Sequence, residues 1–570
     1  MKKTKSPRPG NLGAASSAVA APPVRTISWW PWAALLSGLF LVIEVYTPAL
    51  SGAFVLDDRY LPFFDPHATD TFWGWVGTIR PLLMLSFWLN YKASGAVDPF
   101  IFHVTNVCIH FLTSVFVVFI AAKFLEWSNV AGRARDVLAV FSGAVFLLHP
   151  LQTEAVAYVA GRSDSLSALF FFAAFTVFLY RQYDSVTFPR AVAILVLFGA
   201  AVATKEYSLT LPVLLLFTDF FWNRGGVRKN AILYGLLACA GVAGGAFVFG
   251  ILRASSSAGF SVAGVSPLSY FFTQCRVIWI YIRMFFLPYG QNIDPDIPLS
   301  HSLIDHGAIF GLIALIALAV AAWTYRKRFP LAAFGVFLFL LLIAPTSSIV
   351  PIKDVLSERR LYLPSIGLIF IALELFRRMK LTQAVWTGAA VLVACLALTY
   401  QRTAVWASPL SLWQDTVEKS PNKYRPRFQL AYELYDSNQC PAAVQSYAKA
   451  AQLGPADDQL LVDWALALDC AGQSEEAIAK LNQAVQLAPT AHIYSQIGMV
   501  NAKHGNFQEA LQALAQAEKI DPSYDMTYVY RGLIYEKGGD KAAAALEYKR
   551  ALELHPSNQV ARDALARVSR

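Results

Sequence analysis

Residues 30–50, WPWAALLSGLFLVIEVYTPAL, decide the kind of fold, and residues 51–63, SGAFVLDDRYLPF, follow them directly. The first stretch is long and apolar enough to cross the roughly 30 Å hydrocarbon core of a bilayer as a helix. The second stretch places two adjacent carboxylates, Asp57 and Asp58, just beyond that span. Charged groups near hydrocarbon are costly, so such residues face a cavity or a partner. The pair therefore predicts a polar site at the membrane surface.

The composition is that of a membrane protein. The chain has 570 residues, of which 56% are hydrophobic and 14% are aromatic, which is too apolar for an ordinary soluble protein. Apolar runs of spanning length recur from about residue 30 to residue 400. Only helices and closed barrels satisfy their backbone in lipid, and continuous apolar runs predict helices. The expected fold class is all-α, in contact with a lipid bilayer.

The charge and the cysteines exclude several other classes. The formal net charge of +9 does not indicate a nucleic-acid partner, because many Lys and Arg residues lie in short loops beside the apolar runs, where they report topology. The six cysteines have no CxxC or zinc spacing, so no metal site is predicted from them. Residues 1–28 are basic and rich in small residues, which predicts a disordered cytoplasmic N-terminus.

Eleven apolar runs predict about eleven spans in a membrane domain over residues 29–402. They are roughly residues 30–50, 101–124, 137–153, 165–181, 187–203, 207–222, 230–252, 307–324, 329–345, 361–376 and 383–400. With a cytoplasmic N-terminus, the basic loops all lie inside, provided that residues 270–288 do not cross. Arg276 and Arg283 in that segment favour an interfacial or re-entrant helix pair. The C-terminal part then lies outside the cytoplasm with Asp57, and a bacterial inner membrane facing the periplasm is the expected location.

The sequence becomes repetitive after Arg402. Prolines recur at intervals of 34, 34, 33 and 34 residues, at Pro421, Pro455, Pro489, Pro522 and Pro556. Small residues recur at three further positions of each unit, at Ala431, Ala465, Gly498 and Gly532, at Ala443, Ala477, Ala510 and Ala544, and at Ala450, Ala484, Ala517 and Ala551. This is the tetratricopeptide (TPR) period. It predicts four repeats over residues 421–560, after a linker or helix at 403–420 and before a tail at 561–570. Such repeats usually bind peptides or partner proteins.

Two cysteines fall at related places in the repeats. Cys440 precedes the second helix of the first unit, and Cys470 ends the first helix of the second unit. Because those helices pack antiparallel, the two ends lie close together, and a disulfide persists outside the cytoplasm. The alternative is a pair of small buried thiols that fill helix contacts.

Four predicted outer loops collect charged residues. In chain order they are Asp57, Asp58 and Arg80, then Glu154, Arg162 and Asp164, then Lys205 and Glu206, and last Arg359 and Arg360. Acids and bases from four loops predict one cavity at the membrane surface, where a carboxylate acts as a base or metal ligand. Arginine in such a cavity is suited to bind phosphate.

Each of these groups also has a simpler explanation. The aspartate pair is suited to cap a helix that begins near Tyr60. Lys205 and Glu206 lie where a hairpin tip or a structural ion pair is equally expected. The arginine pair can anchor a helix end at the headgroups, although it lies on the side that topology usually leaves poor in Arg.

Six stretches of the sequence resemble transmembrane-and-tetratricopeptide-repeat proteins, whose eukaryotic members are protein O-mannosyltransferases of the multi-span GT-C class. The stretches occur in matching order and read FVLDDRY, RPLLMLSFWLNY, FHVTNVCIHFL, LHPLQTEAVAYVAGRSD, ATKEYSLTLPVLLL and ERRLYLPSIG. The resemblance covers roughly residues 30–560. It implies a membrane domain of GT-C type followed by a TPR α-solenoid, and a membrane glycosyltransferase.

The resemblance also implies substrates and roles. The donor is a polyprenyl-phosphate-linked sugar, such as a mannose-like hexose, and the acceptor is a Ser or Thr hydroxyl of an extracytoplasmic protein engaged by the TPRs. An acidic residue of the first outer loop is the base, which matches Asp57 or Asp58. A basic residue near the lipid phosphate matches Arg359 or Arg360, or else Lys205. Bacterial members are expected to read Glu-Arg-Tyr where this chain has an arginine pair, which leaves open which arginine points inward.

The implied reaction is a single displacement with inversion, by the logic that separates one-step from two-step glycosyl transfer. The leaving group lacks a diphosphate, so no cofactor is required, although adjacent aspartates can also hold a divalent ion. Two other functions remain open: a non-catalytic TPR scaffold anchored in the membrane, and a transferase that modifies a lipid or glycan. The repeats favour a protein acceptor.

Overall fold

The computed structural model describes residues 30–64, 71–94, 98–181, 184–222, 226–255 and 257–569. Within these ranges the regular structure is helical, without a β-strand, which confirms the all-α class. The predicted disordered segment, residues 1–28, lies outside the described residues.

The membrane domain and linker contain α1 to α17, and each predicted span contains one helix. The bounds are α1 (Trp30–Tyr46), α2 (Phe72–Val76), α3 (Pro81–Ser94), α4 (Pro99–Trp127), α5 (Gly132–Leu148), α6 (Thr153–Ala157), α7 (Arg162–Leu179), α8 (Phe188–Val202), α9 (Leu211–Trp222), α10 (Gly226–Lys229), α11 (Ala231–Ala254), α12 (Pro267–Phe286), α13 (Ala308–Thr324), α14 (Pro330–Ile343), α15 (Ser365–Phe376), α16 (Leu381–Val405) and α17 (Pro409–Lys419).

Several of these helices can cross a bilayer, so the chain is a multi-pass membrane protein. In the described part of the chain, six helices are long and apolar enough, and α5 with the following segment makes a seventh if that pair, bent by 49°, is one span. By contrast, α9 and α15 have 12 residues each, fewer than the roughly 20 that a span needs. The number eleven therefore stays a prediction.

The segment predicted as an interfacial or re-entrant pair is one continuous helix, α12. The prediction of a helix pair is therefore wrong. Arg276 and Arg283 lie seven residues apart, which places both on one face of a single helix instead of at a break. Arg276 donates to the carbonyl of Pro298 at 3.2 Å, and Arg283 donates to that of Tyr289 at 3.3 Å. Both arginines thus hold the loop that follows α12.

The core of the membrane domain lies where α4, α14 and α15 meet. The Phe124 ring packs on Phe334 and Phe370, with centroids 4.8 Å and 5.1 Å apart. Gly335 of α14 and Gly367 of α15 are in backbone contact, because a Cβ on either would lie 2.5 Å from the carbonyl oxygen of the other. Small residues that bring backbones together are a common way of packing membrane helices. The two helices are therefore held together below the outer loop that joins them.

The C-terminal part is a solenoid of four helix pairs and a final helix. The bounds are α18 (Tyr424–Asp436), α19 (Cys440–Leu453), α20 (Asp458–Cys470), α21 (Ser474–Leu487), α22 (Ala491–Lys503), α23 (Phe507–Ile520), α24 (Asp525–Lys537), α25 (Lys541–Leu554) and α26 (Gln559–Val568). The predicted small residues pack between paired helices: a Cβ on Gly532, for example, would lie 2.5 Å from the Tyr548 ring. The TPR interpretation is confirmed. The predicted tail, 561–570, is largely helical, and Ala561 and Ala564 of α26 are buried.

Of the two alternatives for the cysteines of the first two repeats, the structure contains the disulfide. Cys440 and Cys470 form a disulfide with their Cα atoms 5.7 Å apart. The bridge joins the start of α19 to the end of α20.

The solenoid is docked on the membrane domain through the loop after α12. Asp294 of that loop is 3% exposed and forms ion pairs with Lys423 at 2.5 Å and with Arg425 at 2.6 Å. Asn292 Nδ2 donates to Ser420 Oγ at 2.8 Å. These contacts fix the end of the linker and the start of the first repeat against the outer loops.

Candidate active site

The first outer loop forms a short 3₁₀ helix, Leu56–Tyr60, whose acidic residues point in different directions. Asp58 is 1% exposed. Its Oδ2 accepts the backbone N–H of Val55 at 3.1 Å, and its Oδ1 accepts that of Ala160 in the second outer loop at 2.7 Å. Burial raises the pKa of Asp58 to about 7, although the two backbone donors oppose the change. Asp58 therefore links two loops, and both of its oxygens are already in use.

Asp57 is the exposed member of the pair. Its backbone N–H donates to Tyr158 Oη at 2.9 Å. This contact fixes the main chain, and the Asp57 carboxylate takes no part in it. Leu56, the residue before it, has a φ of 50°, a left-handed conformation that is rare for a bulky residue. Strain of this kind clusters at functional sites. Asp57 is thus presented to solvent by a restrained backbone.

Arg359, from the loop between α14 and α15, contacts the same tyrosine as the backbone of Asp57. Its guanidinium interacts electrostatically with Glu154, Asp164 and Asp57, and it lies over the Tyr158 ring at 5.3 Å. Burial opposes the charge, but these acidic neighbours hold the pKa of Arg359 above its usual value. The closest carboxylate oxygen, Glu154 Oε1, is 3.7 Å from Arg359 Nε, so the guanidinium is not held in a tight ion pair.

Arg360 turns toward α12 instead. Its Nη1 donates to the carbonyl of Val355 at 3.2 Å and to Tyr270 Oη at 3.4 Å, and its Nη2 donates to the carbonyl of Asp354. These contacts hold the loop between α14 and α15. Arg359, by contrast, lies beside Glu154 and over the Tyr158 ring.

Two ion pairs complete the site. Lys205 Nζ lies 2.6 Å from Asp164 Oδ2, and Arg80 donates to both oxygens of Glu206 at 2.9 Å. The pairs adjoin Arg359, because Lys205 interacts electrostatically with Arg359 and with Arg80. We call these residues with Asp57, Glu154 and Arg359 the outer charge cluster. Four loops therefore converge as the sequence predicted. Lys205 and Glu206 are adjacent in sequence but belong to two different ion pairs.

Arg162 lies beneath this cluster and is fully buried. Its donors reach Asn106 Oδ1 at 2.7 Å and the carbonyls of Phe102 at 2.9 Å and Ser86 at 3.1 Å. Its guanidinium also packs 4.5 Å from the Phe87 ring centroid. Since these contacts occupy Arg162, we leave it out of the proposed substrate site. It supports the second outer loop.

Tyr158 and Glu358 adjoin Arg359, and neither is among the residues that the sequence predicts for the site. Tyr158 is 2% exposed and contacts both Asp57 and Arg359. It lies in the AVAYVAGRSD motif, between Glu154 and Asp164. Glu358 is fully buried and accepts from Gln291 Nε2 at 2.8 Å and from Arg402 Nη2 at 3.4 Å. Burial raises the pKa of Glu358. No local pattern marks either role.

The charged groups of this site are arranged for acid–base and electrostatic chemistry. In the ranges that the structure describes, no group of three or more His, Cys, Asp or Glu side chains is placed to hold a metal ion. An exposed carboxylate, a guanidinium and an ammonium group converge from separate loops. Such a set can remove a proton and stabilise a leaving phosphate.

The fold and the site define a multi-pass membrane protein with an outer charge cluster and a TPR solenoid, and comparisons agree. A tetratricopeptide-repeat model matches residues 428–492 and 496–559. The mouse protein O-mannosyl-transferase TMTC3 is 23% identical over 88% of this chain and 61% of its own length. The Caenorhabditis elegans protein O-mannosyl-transferase F38B6.6 is 24% identical over 75% and 63%, and human TMTC4 is 25% identical over 73% and 66%.

The resemblance predicted from the motifs is confirmed: over most of its length the chain is similar to transmembrane-and-tetratricopeptide-repeat proteins. The chain spans just over three fifths of the length of the first two of these relatives. The solved structure of YrrB, a TPR protein, is 20% identical over 31% of this chain and 88% of its own, with a TM-score of 0.23, which is too low to carry an argument about function.

Proposed function

We propose that this protein is a membrane glycosyltransferase that transfers a mannose-like hexose from a polyprenyl-phosphate donor to Ser or Thr hydroxyls of extracytoplasmic proteins. The observation that carries the proposal is that Tyr158 contacts both the backbone of exposed Asp57, at 2.9 Å, and the guanidinium of Arg359, at 5.3 Å. The names of the relatives support hexose transfer to protein. The donor class follows the predicted resemblance.

In this mechanism Asp57 is the base. It removes the proton of the acceptor hydroxyl as the oxygen attacks the anomeric carbon of the donor. The bond from that carbon to the phosphate oxygen breaks in the same step, so the configuration inverts. The leaving group is the polyprenyl phosphate, which departs with the electron pair.

Arg359 and Lys205 stabilise the leaving phosphate. A guanidinium offers two parallel N–H donors to phosphate oxygens, and Arg359 is 27% exposed with no tight carboxylate partner. Lys205 is 15% exposed and is held by Asp164, which orients it toward the same region. Charge stabilisation of this kind is usually the largest contribution to such a rate.

The TPR solenoid is proposed to deliver the acceptor. Its first helix touches the catalytic loop, because Arg59, two residues after Asp57, forms an ion pair with Glu433 of α18 at 2.9 Å. A peptide bound along the solenoid therefore has a short path to the outer charge cluster. This placement favours a protein acceptor over a lipid or glycan.

The test is a comparison of cells that carry the wild-type chain, the Asp57→Asn chain or neither. Ser and Thr peptides of extracytoplasmic proteins are examined by mass spectrometry for an added hexose. We expect hexose only with the wild-type chain. Equal modification with the Asp57→Asn chain would overturn the proposed role of Asp57 as the base, and hexose on lipid or glycan alone would reassign the acceptor.

A further inference from the structure

A basic cavity lies at the end of the membrane domain opposite the outer charge cluster. It has a volume of about 420 Å³, within the range of roughly 300–1,000 Å³ typical of ligand sites. The residues that matter in its lining are Trp127, Trp222, Arg326, Lys327, Arg328 and Arg377. We call it the basic cavity.

The chain order shows that this end is opposite to the active site. The cavity lies at the C-terminal ends of α4, α9 and α15 and at the start of α14. At their other ends, α9 follows the loop of Lys205, and α14 and α15 enclose the loop of Arg359. By the positive-inside rule this is the cytoplasmic end. The cavity therefore cannot be part of the outer site.

The charge of the basic cavity is only partly compensated. No residue that lines it is acidic. Arg377 is paired with Glu374 at 2.7 Å, but the same carboxylate also accepts from Arg378 at 2.8 Å and from the backbone N–H of Leu331 at 2.9 Å. Within the described chain, Lys327 and Arg328 form no ion pair. Topology alone explains the sign of these charges, but it does not require that they surround a cavity.

Two lining residues also carry unused hydrogen-bond donors. The indole Nε1 of Trp222 and the Oγ of Ser128 are buried and have no partner among the described residues. Buried donors without an acceptor are uncommon and call for an explanation. An anionic oxygen is an acceptor for donors of this kind.

We propose that the basic cavity binds the phosphate group of an anionic lipid headgroup. Basic pockets between membrane helices on the cytoplasmic side are suited to such headgroups. Trp127 and Trp222 at the same helix ends favour a lipid over a free phosphate, because tryptophan concentrates at headgroup depth. The inference does not depend on the proposed transferase activity.

The test measures lipid binding by the purified full chain in detergent, by native mass spectrometry. The probes are a phosphatidylglycerol, a phosphatidylcholine of the same chains, and inorganic phosphate. The variant Lys327→Gln/Arg328→Gln removes two exposed cations of the cavity. The matched control, Arg133→Gln/Arg228→Gln, removes two exposed cations at the same membrane face that do not line it.

We expect the wild type and the control to retain phosphatidylglycerol in preference to phosphatidylcholine. The cavity variant should bind phosphatidylglycerol about tenfold or more weakly, as expected for two lost charges near an anionic headgroup. Equal losses in both variants would overturn the site, because they would indicate general attraction to the basic face. Binding of inorganic phosphate with no preference for phosphatidylglycerol would overturn the lipid assignment. Thermal melting of each variant confirms that the protein is folded.

Discussion

Arg59 and Glu433 join the loop of Asp57 to the solenoid: Arg59 Nη2 lies 2.9 Å from Glu433 Oε1. The arginine also lies over the Tyr432 ring, 5.5 Å from its centroid. Arg59 belongs to the same short helix as Asp57, while Glu433 and Tyr432 belong to α18. The first repeat therefore contacts the segment that bears the proposed base.

Removing this contact should weaken the coupling of the solenoid to the catalytic loop. In a double-mutant cycle of Arg59→Gln and Glu433→Gln, we expect a coupling energy of about 0.2–1 kcal/mol, because Arg59 is 42% exposed and solvent screens the pair. Transfer to a protein acceptor should fall modestly in each single variant and no further in the double variant.

The control is Lys229→Gln, which breaks an exposed pair with Asp184 far from the solenoid. It should leave transfer unchanged. Strictly additive effects of the Arg59 and Glu433 changes would show that the contact does not couple the two parts.

The two aspartates should respond differently to amide substitution. Asp57→Asn should lower the rate by about 10²–10⁴ with little change in melting temperature, since it removes the base and no observed packing. Asp58→Asn should lower the melting temperature, because an amide cannot accept both backbone N–H groups that the carboxylate accepts. Rates and melting curves of the purified variants measure both effects.

A wild-type rate in Asp57→Asn would remove Asp57 from the mechanism. If Asp58→Asn alone abolished transfer while it melted like the wild type, Asp58 would be the base.

The two arginines should also separate. Arg359→Ala should raise the donor KM and lower turnover, since Arg359 is the proposed phosphate contact and its nearest carboxylate oxygen is 3.7 Å away. Arg359→Lys should recover only part of the lost donor binding, because an ammonium group lacks the two parallel N–H donors of the planar guanidinium. Arg360→Ala, the matched control, should leave donor KM near that of the wild type and lower thermal stability. The opposite pattern of donor KM values would assign the phosphate to Arg360.

Lys205 should set an alkaline limit on donor binding. Burial lowers the pKa of Lys205 to about 8, against the opposing charge of Asp164. Lys205 is charged below that pH and loses its charge as the pH rises through it, so the donor KM should rise above about pH 8. In Lys205→Arg, the guanidinium stays charged and the rise should disappear. A profile of donor KM against pH tests this, and an identical alkaline rise in both proteins would contradict it.

The disulfide should stabilise the first two repeats. Cys440 and Cys470 close a loop of 30 residues, for which about 2–4 kcal/mol is typical. Cys440→Ala/Cys470→Ala should therefore melt earlier in the solenoid, and reductant should lower the melting temperature of the wild type but not of the variant. Free labelling of both thiols in the unreduced wild type would show that the bridge does not form.

The solenoid was predictable because its signal is periodic. Ala443, Ala477, Ala510 and Ala544 occupy one position of a repeat, and the structure buries all four. The same alignment placed Cys440 near Cys470 but did not decide between a disulfide and two buried thiols. The helices of the membrane domain were predictable for a similar reason, since an apolar run reports its own burial in lipid.

The division of roles within the site was not predictable. Asp57 and Asp58 are chemically identical neighbours, and only Ala160, about a hundred residues later, makes one of them structural. Arg162 carries no sequence sign that its partners are Asn106 and backbone carbonyls. Such contacts depend on how distant helices pack, which local periodicity does not encode.

The contact of Gly335 with Gly367 limits how these two positions can vary. A Cβ at either position meets backbone of the opposite helix, which cannot rotate away as a side chain can. A larger residue at either position can therefore be accommodated only by a shift of a whole helix. A smaller side chain on the opposite helix would not remove the clash with its backbone. Across homologous sequences, we expect the two positions to keep glycine together or to lose it together, as a covarying pair.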